Sequence, residues 1–380
     1  MIPGKFNVVT DGQWGSCGKG AITTALANKF RPRILSTTNM ANAGHTAVNI
    51  SGEKHVAKAL PSAAILNIWS PDYNPLVAVG ATAAFQLDQI TKEIDKCNIR
   101  NQLLIHPRAG VITEKHMLEE CSGEKSTKHI ASTMQGCATF LSDKILRKPG
   151  LKLAGDYEQL KPYMPHYSFI DNIYYLMDKE EMILHEGSQG FSLDINYGSH
   201  YPNCTSRSTT APQNMVDMGI SPKYLGKVYL VIRPYPIRVG NVVEEGGTVG
   251  YSGDGYPGQM EITWEEVAYR SGMPKEETES LLNKELTTVT KRLRRVFEFS
   301  HKQLYEAALI NGADEIAINF ANYIDWSCAG CDDWNSLPRK VMNFVNNCET
   351  ITGIPVTIIG TGPRICDICW RPKNITWGVK

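Results

Sequence analysis

The chain has 380 residues, enough to bury a large core as one large domain or two smaller ones. With 39 basic and 39 acidic residues its formal net charge is +0, which excludes a nucleic-acid binder relying on a broad basic field. Hydrophobic content of 42% against 21% charged residues is that of a globular chain, and no apolar run approaches the roughly 18 residues that span a bilayer. The apolar stretch at residues 6–10 is too short for a secretory core, so a cytoplasmic location is expected. The ten cysteines are then expected as thiols, catalytic groups or metal ligands rather than disulfides.

Residues 6–10 read as a buried strand, 21–30 as a helix, 33–37 as the next strand, 75–80 as another strand and 85–97 as another helix. Such alternation predicts an α/β fold with a large, mostly parallel central sheet flanked by helices. Residues 122–136 and 187–210 are polar and glycine-rich, and read as loops. Toward the C-terminus, 295–311 reads as a helix stopped by Gly312. A strand at 315–320, a helix at 336–348 and a strand at 355–359 follow. No repeat, linker or domain boundary stands out, so the whole chain, 1–380, is expected as a single domain with loop-rich subdomain insertions.

Between the first strand and the first helix lies Gly12-Gln13-Trp14-Gly15-Ser16-Cys17-Gly18-Lys19-Gly20. A glycine-dense loop with one lysine, opening into a helix N-terminus, is how proteins surround a phosphate. It is not an ordinary P-loop, because five residues rather than four precede Gly18-Lys19 and Gly20 stands where Ser or Thr is required. A dinucleotide G-x-G-x-x-G fingerprint is absent too. No carboxylate sits in the middle of the loop, only the hydroxyl of Ser16.

This stretch resembles the adenylosuccinate synthetase signature, Gly-x-Gln-Trp-Gly-Asp-Glu-Gly-Lys-Gly. Further blocks resemble that family in order: Asn42-Ala43-Gly44-His45-Thr46; Ser132-Thr133 with Arg147; Glu186-Gly187-Ser188-Gln189-Gly190; Tyr201-Pro202 with Thr205-Ser206; the segment Thr287-Thr288-Val289-Thr290-Lys291-Arg292-Leu293-Arg294-Arg295; and Thr361-Gly362-Pro363. The resemblance implies a P-loop-related ligase fold and a two-step reaction. The γ-phosphoryl group of a nucleoside triphosphate moves to purine O6, and the aspartate amine then displaces it, with Mg²⁺ present. It implies catalytic roles for Ser16, Lys19, His45 and Gln189. A purine monophosphate would meet Ser16, Asn42, Ser132, Thr133, Arg147, Gln189, Thr205 and Arg292. Aspartate would meet Val289, Thr290, Lys291, Arg292 and Arg294, with the two arginines clamping its carboxylates. The triphosphate would meet Gly15, Cys17, Gly18, Lys19, Gly20, Gly44, His45, Thr46, Arg294, Phe320, Asn322, Gly360, Thr361, Gly362 and Pro363. Mg²⁺ would be held by Ser16 and Gly44. A homodimer is implied, with Arg147 reaching the partner's nucleotide.

Two departures from the family pattern bear on substrate choice. Ser16 replaces the loop aspartate, which in ordinary members takes the purine N1 proton. Serine is smaller and uncharged, and leaves room for an exocyclic 2-amino group. The N1 proton acceptor is then open among a water, a substrate phosphate and a relay through Ser16. The family's base reader, Thr-Lys-x-Asp, is here Asn319-Phe320-Ala321-Asn322. Asn322 offers one acceptor and one donor, which suits adenine rather than guanine, and Phe320 can flank the base. Both departures resemble the family's viral branch, which joins aspartate to dGMP with ATP for diaminopurine in DNA. The expected co-substrate is therefore ATP or dATP, and the expected location the host cytoplasm if the chain is viral. An ordinary ligase using IMP and GTP, or a non-catalytic nucleotide-binding paralogue, are the other readings. Finally, Cys328/Cys331 and Cys366/Cys369 form two C-x-x-C pairs in loops expected to converge. Four thiolates so spaced can build a structural Zn²⁺ site, against the alternative of free thiols.

Overall fold

The structure, a computed structural model, describes residues 1–122, 126–166, 168–287 and 291–374. Nine strands form its main sheet: β1 (Phe6–Asp11), β2 (Ile34–Thr37), β3 (Leu76–Val79), β4 (Leu103–Ile105), β5 (Ile183–Glu186), β6 (Leu225–Ile232), β7 (Glu315–Ile318), β8 (Val356–Gly360) and β9 (Ile368–Trp370). Across the sheet the order is β9-β8-β7-β6-β1-β5-β2-β3-β4. Neighbours pair in parallel throughout, except that β9 runs antiparallel to β8.

All six residues of β1 are buried, as expected of a central strand covered on both faces. On one face Val9, Leu35, Leu184 and Val231 pack against Ile22 and Leu26 of helix α1 (Lys19–Phe30). On the other, Phe6, Val8, Ile34 and Val228 meet Phe169, Ile173 and Met215. Each such aliphatic or aromatic side chain contributes about 1.5–3 kcal/mol of burial. The arrangement gathers the carboxyl ends of β1, β5, β6, β7 and β8 along one edge, where parallel α/β sheets place ligands.

The predicted mostly parallel sheet is therefore present, and the strands expected near residues 6, 33, 75, 315 and 355 all lie in it. The stretch 295–311 differs from expectation. Arg295–Phe297 is a strand, pairing with Ile237–Arg238 on one side and Glu261–Ile262 on the other. The helix begins only at His301, where Ser300 Oγ accepts the N–H of Gln303 at 3.2 Å. Val296 and Phe297 fill two separate apolar clusters and favour strand, while Ser300 is the better N-cap. Arg295 thus lies in a strand and not at a helix start. No helix among the described residues is long and apolar enough to cross a membrane.

Candidate active site

The loop after β1 curls tightly because Gly15, Ser16 and Gly18 all adopt positive φ, at 81°, 54° and 84°. Gly18 also has to be glycine for space: a Cβ there would fall 1.9 Å from Asn319 Nδ2, at the end of β7. Ser16 stands exposed at the loop tip. Beneath it lies a carboxylate that motif reading passed over. Asp11, wholly buried, accepts the N–H groups of Gln13 (2.9 Å) and Gly15 (3.1 Å) on Oδ1, and that of Cys17 (3.1 Å) on Oδ2. Lys19 Nζ donates to the same Oδ2 at 3.2 Å and to the carbonyl of Gln189 at 2.7 Å.

The next loop lies close above. A Cβ on Gly20 would sit 2.8 Å from the Thr46 carbonyl and 3.1 Å from the His45 Cβ, so only glycine lets α1 abut the hairpin His45–Val48/Lys54–Ala57. On that hairpin His45 is buried, and its Nδ1 faces Glu186 Oε1 at the end of β5. The second oxygen, Glu186 Oε2, accepts from Ser62 N at 2.6 Å and Ser62 Oγ at 2.8 Å. Burial alone would raise the Glu186 carboxyl, but His45 and the Ser62 hydrogen bonds hold it below the usual carboxylate range.

Beside the loop opens a cleft lined by Trp14, Asn42, Glu120, Ser132, Thr133 and Gln189, with Thr205 and Arg238 at its far wall. Five of the residues predicted to meet the purine nucleotide are thus brought together. Arg292 joins them at the cleft wall, donating to the carbonyls of Ala131 (2.8 Å) and Ser132 (3.1 Å). Arg147 is exposed and does not line this cleft. Arg294 is held by Glu285, 3.4 Å away, and Lys291 is exposed with φ 55°. Val289 and Thr290, predicted to meet aspartate, lie outside the described residues.

On the other side of the loop, Phe320 adopts φ 61° and its ring lies 4.1 Å from the Arg233 guanidinium. Asn322 is buried in the turn that follows, and Asn319 Oδ1 would meet a Cβ on Gly360 at 2.1 Å, so β7 and β8 close on one another here. Arg233 also donates to the Ser16 carbonyl at 3.3 Å, linking this pocket to the loop tip.

Several expectations need correction. Cys17 points inward: its thiol donates to Gln13 Oε1 at 3.1 Å and its N–H serves Asp11, so neither faces a triphosphate. The Thr361 hydroxyl is also engaged within the protein, donating to the Cys331 carbonyl at 2.6 Å. The zinc expectation is not met. No group of three or more His, Cys, Asp or Glu among the described residues could hold a metal ion. The thiols of Cys328, Cys331 and Cys369 instead donate to the carbonyls of Asp325, Asp333 and Cys331, and Cys366 to Asp367 Oδ1. Burial pushes the Cys328 thiol up to about 12. Residues that motif reading missed are Asp11, Glu120, Arg233 and Glu285. All four are buried charges, and only Asp11 had a signal, as a charged residue ending a strand that holds no other charge.

A phosphate-type loop facing a His–carboxylate pair at the carboxyl edge of a parallel sheet belongs to a nucleotide-handling α/β enzyme. The family model for adenylosuccinate synthetase matches residues 8–159 and 152–326, and the chain belongs to that family of C–N ligases. The adenylosuccinate synthetase of Methanocaldococcus jannaschii is 33% identical over 362 residues, covering 94% of each chain. That of Pyrococcus horikoshii is 31% identical over 373 residues, covering 97% of this chain and 99% of the relative. Among solved structures, the succinoaminodeoxyadenylate synthetase (PurZ) of cyanophage S-2L, bound to dGMP and to dATP as an energy donor, aligns with a TM-score of 0.80. It is 29% identical and covers 98% of this chain and 97% of its own. The fully ligated adenylosuccinate synthetase from Plasmodium falciparum, 18% identical, shares the fold with a TM-score of 0.78 over 96% and 99% of the two chains.

Proposed function

We propose that this ligase joins L-aspartate to dGMP, with ATP or dATP as phosphoryl donor, giving N6-succinyl-2-amino-2′-deoxyadenylate for diaminopurine nucleotide synthesis. The observation that carries the reading is Ser16: at the exposed loop tip, where the family signature has aspartate, this chain offers a small uncharged hydroxyl. A purine bearing a 2-amino group fits beside it more readily than beside a carboxylate side chain. The cyanophage enzyme, bound to dGMP and dATP, supports the same choice of nucleotides.

In the first step O6 of dGMP attacks the γ-phosphorus, ADP (or dADP) leaves, and the N1 proton is lost. In the second, the aspartate amine attacks C6, inorganic phosphate leaves and the amine sheds a proton. Lys19 and the free amides of the loop stabilise charge on the phosphoryl oxygens, an electrostatic term that dominates this chemistry. His45, held against Glu186, donates a hydrogen bond or proton to the developing phosphate charge. Asn42, Ser132, Thr133, Gln189, Thr205 and Arg292 surround the monophosphate, and Arg147 reaches the partner's copy across a homodimer. Arg292, Arg294 and Lys291, with Val289 and Thr290, take the aspartate. Asn322 and Phe320 receive the adenine, alongside Gly360, Gly362 and Pro363.

The donor set around the loop fits Mg²⁺. Ser16 Oγ and the Gly44 carbonyl are hard neutral oxygens, and no all-protein metal cage exists among the described residues. Mg²⁺ is characteristically held by one or two protein oxygens plus phosphates, and when bound it neutralises charge on the triphosphate.

The test is a purified-protein assay offering dGMP, GMP or IMP, each with ATP, dATP or GTP, plus aspartate and Mg²⁺. Succinylated product from dGMP with ATP or dATP is expected. Product only from IMP with GTP would overturn the reading, as would nucleotide binding with no product.

A further inference from the structure

Aligned on Gln13, the family signature's leading glycine falls on Asp11 and its aspartate falls on Ser16. The signature's glutamate falls on Cys17, so the loop has lost two carboxylates, at Ser16 and Cys17, and gained one at its base. We propose that Asp11 is a transposed carboxylate: a positioning residue that replaces the missing loop charge from beneath, holding the loop amides and Lys19 in place while leaving the outer face of the loop uncharged.

The contacts support this part by part. Asp11 ends β1, whose register is held by parallel partners on both sides, so its Cα cannot drift. Its carboxylate occupies the hollow made by the positive-φ residues Gly15, Ser16 and Gly18, which is the concavity in which such loops bind anions. Three N–H groups and one ammonium converge on it, at 2.9 to 3.2 Å. An internal anion thus takes the donors of Gln13, Gly15 and Cys17, leaving the amides from Gly18 onward, at the helix N-terminus, for a phosphate. Lys19 is 3% exposed, and burying its ammonium without a counter-charge would be costly. With Ser16 in the loop, Asp11 is the carboxylate that meets it. The fit is closed from above by Gly190, where a Cβ would lie 2.7 Å from Asp11 Oδ1 and 2.2 Å from the Gly15 nitrogen. Asp11 is buried and Ser16 exposed, so Asp11 acts through the loop and Lys19 rather than on the purine.

The substrate consequence rests on the dGMP reading, whereas the organising role does not. The experiment measures steady-state kinetics with whichever purine monophosphate the wild type accepts, and ATP binding by calorimetry. The variants are Asp11→Asn, Asp11→Gly, Ser16→Asp and the Asp11→Gly/Ser16→Asp double exchange. Asp11→Asn keeps one acceptor for Gln13 and Gly15 and removes the charge. It is expected to fold, to lose about tenfold or more in kcat with KM for the monophosphate changed less than about threefold, and to bind ATP about fivefold more weakly. The double exchange returns one carboxylate to the loop, and is expected to exceed the product of the two single effects on kcat by about tenfold. A carboxylate that merely stabilised the fold would show no such coupling. Wild-type kcat and ATP affinity in Asp11→Asn overturn the proposal, as do strictly multiplicative losses in the double exchange. A wild type that uses IMP and not dGMP overturns the substrate reading instead, and Asp11 is then judged on IMP by the same numbers.

Discussion

Arg233 and Glu285 form an ion pair almost fully removed from solvent, 3.1 Å apart, between the end of β6 and the arginine segment. Glu285 also accepts the Tyr323 hydroxyl at 2.9 Å and faces Arg294, while Arg233 reaches the Ser16 carbonyl and the Phe320 ring. One carboxylate therefore connects the loop tip, the pocket at Phe320 and the arginine segment. Burial alone would raise its carboxyl, but Arg233 and Arg294 hold it below the ordinary carboxylate range. Its stabilisation is thus present above that ordinary range and is lost as pH falls through the lowered folded value. Glu285→Gln is expected to destabilise the protein by about 3–5 kcal/mol at pH 7, because two buried guanidinium groups lose their counter-charge. Denaturant titrations should show the gap between wild type and variant narrowing only below about pH 4.5; a gap that stays constant to lower pH contradicts this.

Two buried histidines govern a milder acid range. Burial, with Arg207 nearby, pushes His185 down to about 3, and burial with Lys96 pushes His55 down to about 4. The folded state resists protonation that the unfolded chain accepts near pH 6.5, so stability falls as pH drops below that value. Each histidine is expected to add a slope approaching about 1.4 kcal/mol per pH unit between its two pKa values. His185→Gln should flatten the measured stability–pH curve below pH 6 relative to wild type, whatever it does to stability at pH 8.

Glu186 holds His45 in the site, so Glu186→Gln is expected to lower kcat about 10²-fold or more, with a comparable loss in His45→Asn. The two losses should not multiply in the double variant, since both remove one His–carboxylate unit. Steady-state kinetics of the three variants decides it; fully multiplicative losses refute the unit.

Gly20 has no room for a Cβ against Thr46. Gly20→Ala is expected to cost about 1–3 kcal/mol of stability by pushing the His45 hairpin from α1. Activity should fall further than that loss explains, because His45 moves with the hairpin. Melting temperature and kcat measured together check this.

Ser16 is exposed, so exchange there should leave the fold intact. Ser16→Asp is expected to reduce dGMP turnover at least about tenfold while the melting temperature shifts by less than about 2 °C. Unchanged dGMP turnover would remove the proposed role of space at this position.

The sequence by itself determined the parallel sheet, the phosphate loop and the order of the functional blocks. Those signals are local: apolar runs of strand length, glycines where φ must be positive, and residue strings that survive as strings. Residues 42, 132, 133, 189 and 205 reach one cleft from three loop stretches, and only their shared motif pattern made them legible together. The tertiary structure alone decided what buried charges do. Asp11 reads as an odd end to a strand until Lys19 and three loop amides close on it, and Glu285 carries no sequence signal until Arg233 arrives from 52 positions away. It also decided against zinc, since C-x-x-C spacing specifies how far apart thiols lie along the chain but not where they point. Charge pairing and metal ligation depend on distances between residues remote in sequence, and those distances exist only once the chain has folded.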